Sequence, residues 1–238
     1  MHILVTRPEA DAAALQVPLE AMGHRVSLAP MLEVSFNGAE PVDLDNCAGL
    51  IATSRNGLRG FEHQRPSFWA QALRLPLFAV GSGTAALARS LGFERVIEGP
   101  ATAQDLVPVI SKSLKPASGA LVHLAGDNLA FDLKAALAPL GYSLRQPVVY
   151  RTAAATRLPA NVEENVVLGR IDAVILMSPK TAQTFVAIVT GRGLAEAARK
   201  LSFICLSGAV AGALAPWQPV RTAVASKPNL DEILLLVS

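Results

Sequence analysis

The sequence predicts an α/β protein of two similar lobes, each a parallel sheet of about five strands flanked by helices, joined by a two-stranded linker. Three observations support this fold. Short apolar runs alternate with stretches of helical periodicity along the 238 residues, which is typical of parallel sheets with right-handed crossovers. The order of these elements is repeated in the second half. Two extended runs, 31–36 and 142–157, each follow the second strand of a repeat.

In the first half, each predicted strand is a short apolar run, and each predicted helix carries apolar residues at helical spacing. The first helix, for example, has Ala12, Leu15 and Leu19 on one face and is followed by Gly23, which ends it. The predicted elements are strands at 3–6, 25–28, 50–53, 77–80 and 96–98, and helices at 9–22, after Ser54, at 85–91 and at 104–111.

The second half repeats this order. The segment ALVHLAGD (120–127) corresponds to HILVTRPE at the start, and a helix is predicted at 129–138. Three later segments also have counterparts: AVILMSP corresponds to GLIATSR, FICLSGAVAGAL to FAVGSGTAALA, and TAVASKPNLDEILLLV to VIEGPATAQDLVPVI. Any two α/β stretches share some likeness, but agreement at four successive units favours duplication.

The positions of the two extended runs predict a discontinuous domain organisation. Because each run follows the second strand of its repeat, the simplest compact solution lets the chain leave one lobe and return to it. We predict a first domain from 1–33 and 155–238, a second domain from 38–148, and linkers at 34–37 and 149–154.

The composition excludes several classes of protein. It is 51% hydrophobic and 17% charged with a net charge of +2, enough for a core in each domain and without the basic excess of a nucleic-acid-binding protein. Cys47 and Cys205 have no metal-binding spacing and are typical of buried free thiols. The sequence starts directly with a strand and contains no apolar run of membrane-spanning length. We expect a soluble, cytoplasmic protein that does not contact membranes.

The turns after the predicted strands carry hydroxyl, glycine and basic residues. Ligands of open parallel sheets bind beyond the carboxyl ends of the strands, where helix N-termini present free N–H groups and partial positive charge. The candidate substrate-binding residues there are Thr6, Arg7, Ser54, Arg55, Ser82, Thr84, Gly126, Ser178, Lys180, Ser207 and Gly208. They suit a polyanion. A structural role stays open for each, since serines commonly cap helices and glycines commonly serve turns.

Other motifs are excluded. GSGT (81–84) lacks the ending of a phosphate-binding loop and the third glycine of a dinucleotide fingerprint. The sequence contains neither C-x-x-C nor H-E-x-x-H, so we predict no metal site. It also lacks G-x-S-x-G, so we predict no acyl-transfer nucleophile. His123 lies in a predicted strand and is interpreted as a core residue. Tyr150 ends an extended run where its phenol can reach a cleft; the alternative is a half-buried residue with a locally bonded hydroxyl.

Together these motifs resemble those of the uroporphyrinogen-III synthase family. The matching segments are ILVTRP, IATS with the following Asn56 and Gly57, AVGSGTA (79–85), VVYRT (148–152), ILMSPKTA (175–182) and ASKPNLDEIL (225–234). These segments are distributed along the whole chain, and their order is more specific to the family than any single segment. The family's fold, two α/β lobes joined by a two-stranded ladder with a discontinuous first domain, agrees with the fold predicted above.

The resemblance implies that the chain cyclises the linear tetrapyrrole hydroxymethylbilane to uroporphyrinogen III, with inversion of ring D, loss of water and no cofactor. Loss of the terminal hydroxyl gives a cationic azafulvene, and ring D attacks it through its substituted carbon to form a spiro intermediate that fragments and recloses. It implies Tyr150 as the general acid and Arg7, Arg55 and Lys180 among the groups that bind eight carboxylates. A monomer in transient contact with hydroxymethylbilane synthase is expected.

The sequence departs from the family pattern at two turns. A turn that commonly reads G-P-T-T-A is SGAVA (207–211) here, so both threonine hydroxyls are missing, and the AGDN turn (125–128) lacks an arginine that often follows that strand. Two alternatives stay open: a two-lobed, non-catalytic binding protein for an anionic small molecule, and a regulatory domain that has lost the activity. The missing threonines favour the second.

Overall fold

The computed structural model describes residues 1–100, 102–218 and 220–238 and forms two compact units. Unit 1 comprises Met1–Glu33 and Ala153–Ser238, and unit 2 comprises Val34–Thr152. The strands are β1 (His2–Val5), β2 (Arg25–Leu28), β3 (Leu32–Ser35), β4 (Cys47–Ala52), β5 (Pro76–Val80), β6 (Arg95–Gly99), β7 (Ala120–His123), β8 (Ala125–Gly126), β9 (Leu144–Arg145), β10 (Val148–Ala154), β11 (Ala173–Leu176), β12 (Ser202–Cys205) and β13 (Arg221–Val224).

The helices connect these strands. They are α1 (Glu9–Ala21), α2 (Arg55–Gln64), α3 (Trp69–Ala72), α4 (Gly81–Ser90), α5 (Leu106–Ser113), α6 (Leu133–Leu137), α7 (Ala160–Val167), α8 (Pro179–Gly191), α9 (Ala195–Ala198), α10 (Gly208–Gly212) and α11 (Leu230–Leu235). Short 3-10 helices lie at Pro116–Ser118, Ala138–Leu140 and Ala215–Trp217. No helix in the described part of the chain is both long and apolar enough to cross a bilayer.

Unit 1 contains a five-stranded parallel sheet of order β13-β12-β11-β1-β2. All four residues of β1 are buried, because this strand lies between β11 and β2 and is covered on both faces. Successive side chains of a strand point to opposite faces, so Leu4 joins a core with Phe185 and Phe203, whereas Ile3 joins a second core with Leu15. The apolar runs of the sequence are therefore strands buried on both faces.

Unit 2 repeats this architecture with a parallel sheet of order β6-β5-β4-β7-β9. Leu50 and Phe61 belong to the core on one face, and Ile51 and Phe78 belong to the core on the other. The predicted fold class, two α/β lobes that each contain a five-stranded parallel sheet, is confirmed.

A third, smaller sheet has the order β3-β10-β8. The sequence predicted two extended strands here, and the structure adds β8, which pairs in parallel with β10 through Val148 with Ala125 and Tyr150 with Gly126. A two-residue strand is too short to show a period of two, so the sequence pattern could not reveal it.

The predicted helix at 129–138 begins later than expected, at Leu133. Asp132 caps it by accepting a hydrogen bond from the Ala135 amide at 2.9 Å, a cap that satisfies one of the free N–H groups of the first turn. Residues 128–131 consequently precede the helix instead of belonging to it. They line a cavity in unit 2.

Two glycines allow α2 to approach the backbone of unit 2 closely. A Cβ atom at Gly57 would lie 2.4 Å from the carbonyl oxygen of Leu124, and one at Gly60 would lie 2.3 Å from that of Val149. Residues three apart share a helix face, so both glycines face the backbone that carries β8 and β10. This close packing brings the start of α2 beside Tyr150.

Candidate active site

A cavity of about 500 Å³ lies in unit 2 at the carboxyl edge of its parallel sheet. Its walls come from residues that end or follow β4, β5, β6 and β7, from β8 and β10, and from the segment 128–131. Its polar lining residues include Thr53, Ser54, His123 and Tyr150. This is the position at which open parallel sheets bind ligands.

The ring of Tyr150 lies against Gly126, its register partner on β8. A Cβ atom at Gly126 would lie 2.5 Å from Cζ of Tyr150 and 2.7 Å from its hydroxyl oxygen, which is closer than van der Waals contact permits. The backbone is fixed as well, because the Asp127 amide donates to the carbonyl oxygen of Tyr150 at 3.2 Å. Gly126, predicted to bind substrate, thus makes room for the phenol.

Ser54 links the phenol to the start of α2. It is the N-cap residue, and its Oγ accepts a hydrogen bond from the Gly57 amide at 3.2 Å. The serine hydroxyl donates in turn to the hydroxyl oxygen of Tyr150 at 3.0 Å. The phenol's own proton is thereby left for an acceptor in the cavity. The capping role and the predicted site role of Ser54 are compatible, because one hydroxyl can accept and donate at the same time.

His123 forms part of the cavity wall although only 1% of it is exposed. Its Nε2 lies 2.9 Å from Oγ1 of Thr53, and its Nδ1 lies 3.1 Å from the side-chain nitrogen of Gln146. Burial lowers the pKa of His123 to about 4, because the charged imidazolium would lose its hydration there. The imidazole is therefore neutral near pH 7.

This buried histidine should make stability depend on pH. In the unfolded chain His123 takes up a proton below its ordinary pKa of 6.5, whereas the native chain does so only near pH 4. Stability is therefore fully present above pH 6.5 and decreases as the pH falls toward 4, by about 3 kcal/mol from this residue. Urea unfolding at several pH values measures this decrease. His123→Gln should flatten the curve over that range, and an unchanged curve would contradict the prediction.

The other predicted residues of unit 2 lie at the same sheet edge but outside the described cavity lining. Arg55 is the first residue of α2 and follows β4 after Thr53 and Ser54. Ser82 and Thr84 lie in the first turn of α4, which follows β5 directly; Ser82 is exposed and Thr84 is buried. The cavity therefore brings together Ser54, Gly126 and Tyr150 from the predicted set.

In unit 1, two predicted hydroxyl residues serve the fold. Thr6 is fully buried, and its hydroxyl donates to the carbonyl oxygen of Ile175 at 2.6 Å, which ties the end of β1 to β11. Ser178 caps α8 by accepting from the Thr181 amide at 3.1 Å. Arg7 lies 3.9 Å from the carboxylate of Asp11.

The remaining predicted residues of unit 1 follow β11 and β12. Lys180 is exposed in the first turn of α8. Ser207 is the N-cap residue of α10, but its side chain makes no capping hydrogen bond. Gly208 is the first residue of α10 and is exposed. Because β1, β11 and β12 are adjacent parallel strands, all six predicted residues of unit 1 lie at the carboxyl edge of one sheet.

Sequence reasoning missed several cavity residues. Thr53 was not predicted, nor was the segment 128–131, which adds Asn128 and Phe131 to the wall. Gln146 was not predicted either; it contacts Nδ1 of His123 and is not one of the described lining residues. The only available signal was the position of Thr53 directly after a strand and beside Ser54. In the described residues, no group of three or more His, Cys, Asp or Glu side chains is placed to hold a metal ion.

Comparison with known proteins identifies one family. The family model described as uroporphyrinogen-III synthase HemD matches residues 13–234, nearly the whole chain. No curated protein matches the sequence.

Solved structures of uroporphyrinogen-III synthases share the fold, and two examples are similar along nearly their whole length. One is a crystal structure of uroporphyrinogen-III synthetase from Helicobacter pylori, with 16% identity and a TM-score of 0.67, covering 99% of this chain and 97% of that one. The other is a mutant uroporphyrinogen III synthase from Thermus thermophilus, with 19% identity and a TM-score of 0.57, covering 100% of this chain and 97% of that one. At these identities the likeness establishes the fold.

Proposed function

The chain belongs to the uroporphyrinogen-III synthase HemD family, and we propose that the cavity of unit 2 is where it acts on its substrate. Membership makes the chain a lyase that closes the linear tetrapyrrole hydroxymethylbilane to uroporphyrinogen III, with inversion of ring D and loss of water. The resemblance seen in the sequence is confirmed by the family match. The observation that carries the proposal is the phenol of Tyr150, which is held in a cavity at the carboxyl edge of the sheet.

Tyr150 is proposed as the general acid for loss of the terminal hydroxyl of the substrate. Its proton is directed away from Ser54, because the serine hydroxyl donates to the phenol oxygen. The same bond stabilises negative charge that develops on that oxygen when the proton is transferred. A proton delivered to the departing hydroxyl lets it leave as water, and the pyrrole nitrogen stabilises the resulting cation. A phenol is a weak acid, so its contribution is modest.

Cyclisation itself demands positioning more than further proton transfer. The azafulvene cation is reactive, and the protein must hold the chain so that ring D attacks through its substituted carbon and not through its free one. Holding two reacting ends in a defined geometry can supply a large part of the rate and the selectivity. The cavity wall offers the hydroxyl group of Thr53 and apolar surface from Phe131 for this purpose.

We extend the proposal to the other predicted residues at the two sheet edges. These residues are proposed to bind carboxylates of the substrate, through side chains or through backbone amides at helix starts: Arg7, Arg55, Ser82, Thr84, Ser178, Lys180, Ser207 and Gly208. Thr6 is left out of the proposal, because it is fully buried and its hydroxyl donates to the carbonyl oxygen of Ile175. The exposed amine of Lys180 is the clearest example in unit 1. Lys180→Ala should raise KM, and an unchanged KM would remove it from the set.

We also propose that the chain works as a cytoplasmic monomer that contacts hydroxymethylbilane synthase transiently. Cys47 and Cys205 are free thiols, which suits a reducing compartment. Sedimentation velocity of the chain alone tests the monomer, and the same measurement with hydroxymethylbilane synthase added tests the contact.

The test of the activity is the identity of the product. Freshly prepared hydroxymethylbilane is incubated with the folded chain, and the ratio of type III to type I uroporphyrinogen is measured against a sample without protein. We expect type III to predominate, because only a positioned substrate closes with inversion. Exclusive formation of type I by folded protein would reject the synthase and favour the non-catalytic binding or regulatory protein considered from the sequence.

A further inference from the structure

A second hydroxyl lines the cavity of unit 2 beside the pair formed by Tyr150 and Ser54. Thr53 directly follows β4, and its Oγ1 lies 2.9 Å from Nε2 of His123. On the far side of the imidazole, the side-chain nitrogen of Gln146 lies 3.1 Å from Nδ1. Gln146, His123 and Thr53 therefore form a row of hydrogen-bonded groups that ends at the cavity.

The direction of these hydrogen bonds follows from the amide nitrogen of Gln146. An amide nitrogen only donates, so Nδ1 of His123 accepts, and a neutral imidazole with an accepting Nδ1 carries its proton on Nε2. The imidazole is neutral because it is 1% exposed, and burial lowers the pKa of His123 to about 4. Nε2 then donates to Oγ1 of Thr53, which leaves the threonine's own proton for an acceptor in the cavity.

We propose that Thr53 binds a carboxylate of the substrate by donating its hydroxyl proton, and that His123 and Gln146 are positioning residues that fix the direction of this bond. The identity of the anion rests on the proposed function. None of the described lining residues is Asp or Glu, so a carboxylate would meet no like charge in the cavity. Two adjacent residues then have separate tasks, since Ser54 orients the phenol of Tyr150 and Thr53 holds the substrate.

The kinetic test compares three forms of the enzyme. Thr53→Val removes the hydroxyl and keeps the shape of the side chain, and it should raise KM for hydroxymethylbilane about tenfold, as expected for a hydrogen bond to a charged group. Because that bond is made in the ground state and the transition state alike, kcat should change by less than about twofold. Thr53→Ser restores the hydroxyl and should restore KM. An active Thr53→Val enzyme with unchanged KM would overturn the proposal.

The positioning role has its own readout. His123→Leu removes the donor to Thr53 and should raise KM in the same direction, whereas His123→Gln keeps a donor near the position of Nε2 and should return KM toward the wild-type value. If both variants behave alike, His123 does not position Thr53.

Long-range ¹H–¹⁵N NMR of the free protein identifies which ring nitrogen of His123 is protonated, with the His123→Gln variant assigning its signals among the four histidines. We expect the proton on Nε2. A proton on Nδ1 would make Nε2 an acceptor and overturn the proposal, whether or not the chain forms uroporphyrinogen III. This measurement therefore separates a failure of the inference from a failure of the proposed function.

Discussion

Tyr150→Phe is expected to lower kcat for formation of uroporphyrinogen III about tenfold to a hundredfold, because it removes a general acid and leaves the rest of the cavity in place. Phenylalanine keeps the ring packed over Gly126, so the fold and the affinity for the product should stay near those of the wild type. Initial rates at saturating hydroxymethylbilane measure the effect, and thermal unfolding of the variant is the control. Unchanged turnover would make Tyr150 a structural residue.

Gly126→Ala extends the same test to the position of the phenol. The new methyl group would lie 2.5 Å from Cζ and 2.7 Å from the hydroxyl oxygen of Tyr150, so the phenol must shift from its position beside Ser54. We expect a loss of kcat similar to that of Tyr150→Phe. Since both changes act on one hydroxyl, the double variant should be no slower than Tyr150→Phe alone. If the two losses of kcat multiply in the double variant, Gly126 affects something other than the phenol.

Gly60→Ala is expected to reduce the stability of unit 2 by about 3 kcal/mol, because a well-packed site cannot accept the added methyl group without a shift of α2. That methyl would lie 2.3 Å from the carbonyl oxygen of Val149, and a backbone atom cannot rotate away as a side chain can. Urea unfolding followed by circular dichroism measures the change in the free energy of unfolding.

The matched control for this prediction is Gly83→Ala. Gly83 is also helical and lies in unit 2, but apart from its chain neighbours and the adjacent backbone of its own helix, no atom lies within 4 Å of the position of its added Cβ. The same substitution should therefore be neutral there or stabilising by about 0.5–1 kcal/mol, since alanine favours the helix over the unfolded chain. Equal effects at the two positions would show that helix propensity, and not the approach of α2 to β10, decides the outcome.

Much of the fold could be predicted because its signals are local. The strands of the two large sheets are short apolar runs, and a run such as Ile3 to Thr6 is recognisable without knowledge of its partners. Ser54 and Ser178 were recognisable as caps for the same reason, and both accept the expected amide hydrogen bond. Elements defined by a distant partner were not predictable. The two residues of β8 form a strand only because β10 lies beside them.

The candidate site was predictable only in part, since its members are assembled by tertiary packing. Ser54 and Tyr150 were selected separately, and their hydrogen bond spans 96 residues of sequence. The hydrogen-bonded row of Gln146, His123 and Thr53 gave no sequence signal as a group, because no spacing rule relates residues that are 23 and 70 positions apart. His123 was interpreted as a core residue, and it is buried with hydrogen-bond partners at both ring nitrogens. The sequence could not show that one of these partners, Thr53, lines a cavity.

The strand order of unit 1 has a consequence for how the protein emerges from the ribosome. β1 is made first, yet one of its two neighbours, β11, begins at Ala173, and the outer strands β12 and β13 are made later still. One edge of β1 therefore stays unpaired while every strand of the large sheet of unit 2 is translated. Unit 2 can complete that sheet during synthesis, whereas one edge of β1 stays open to pairing with another chain until β11 has been made.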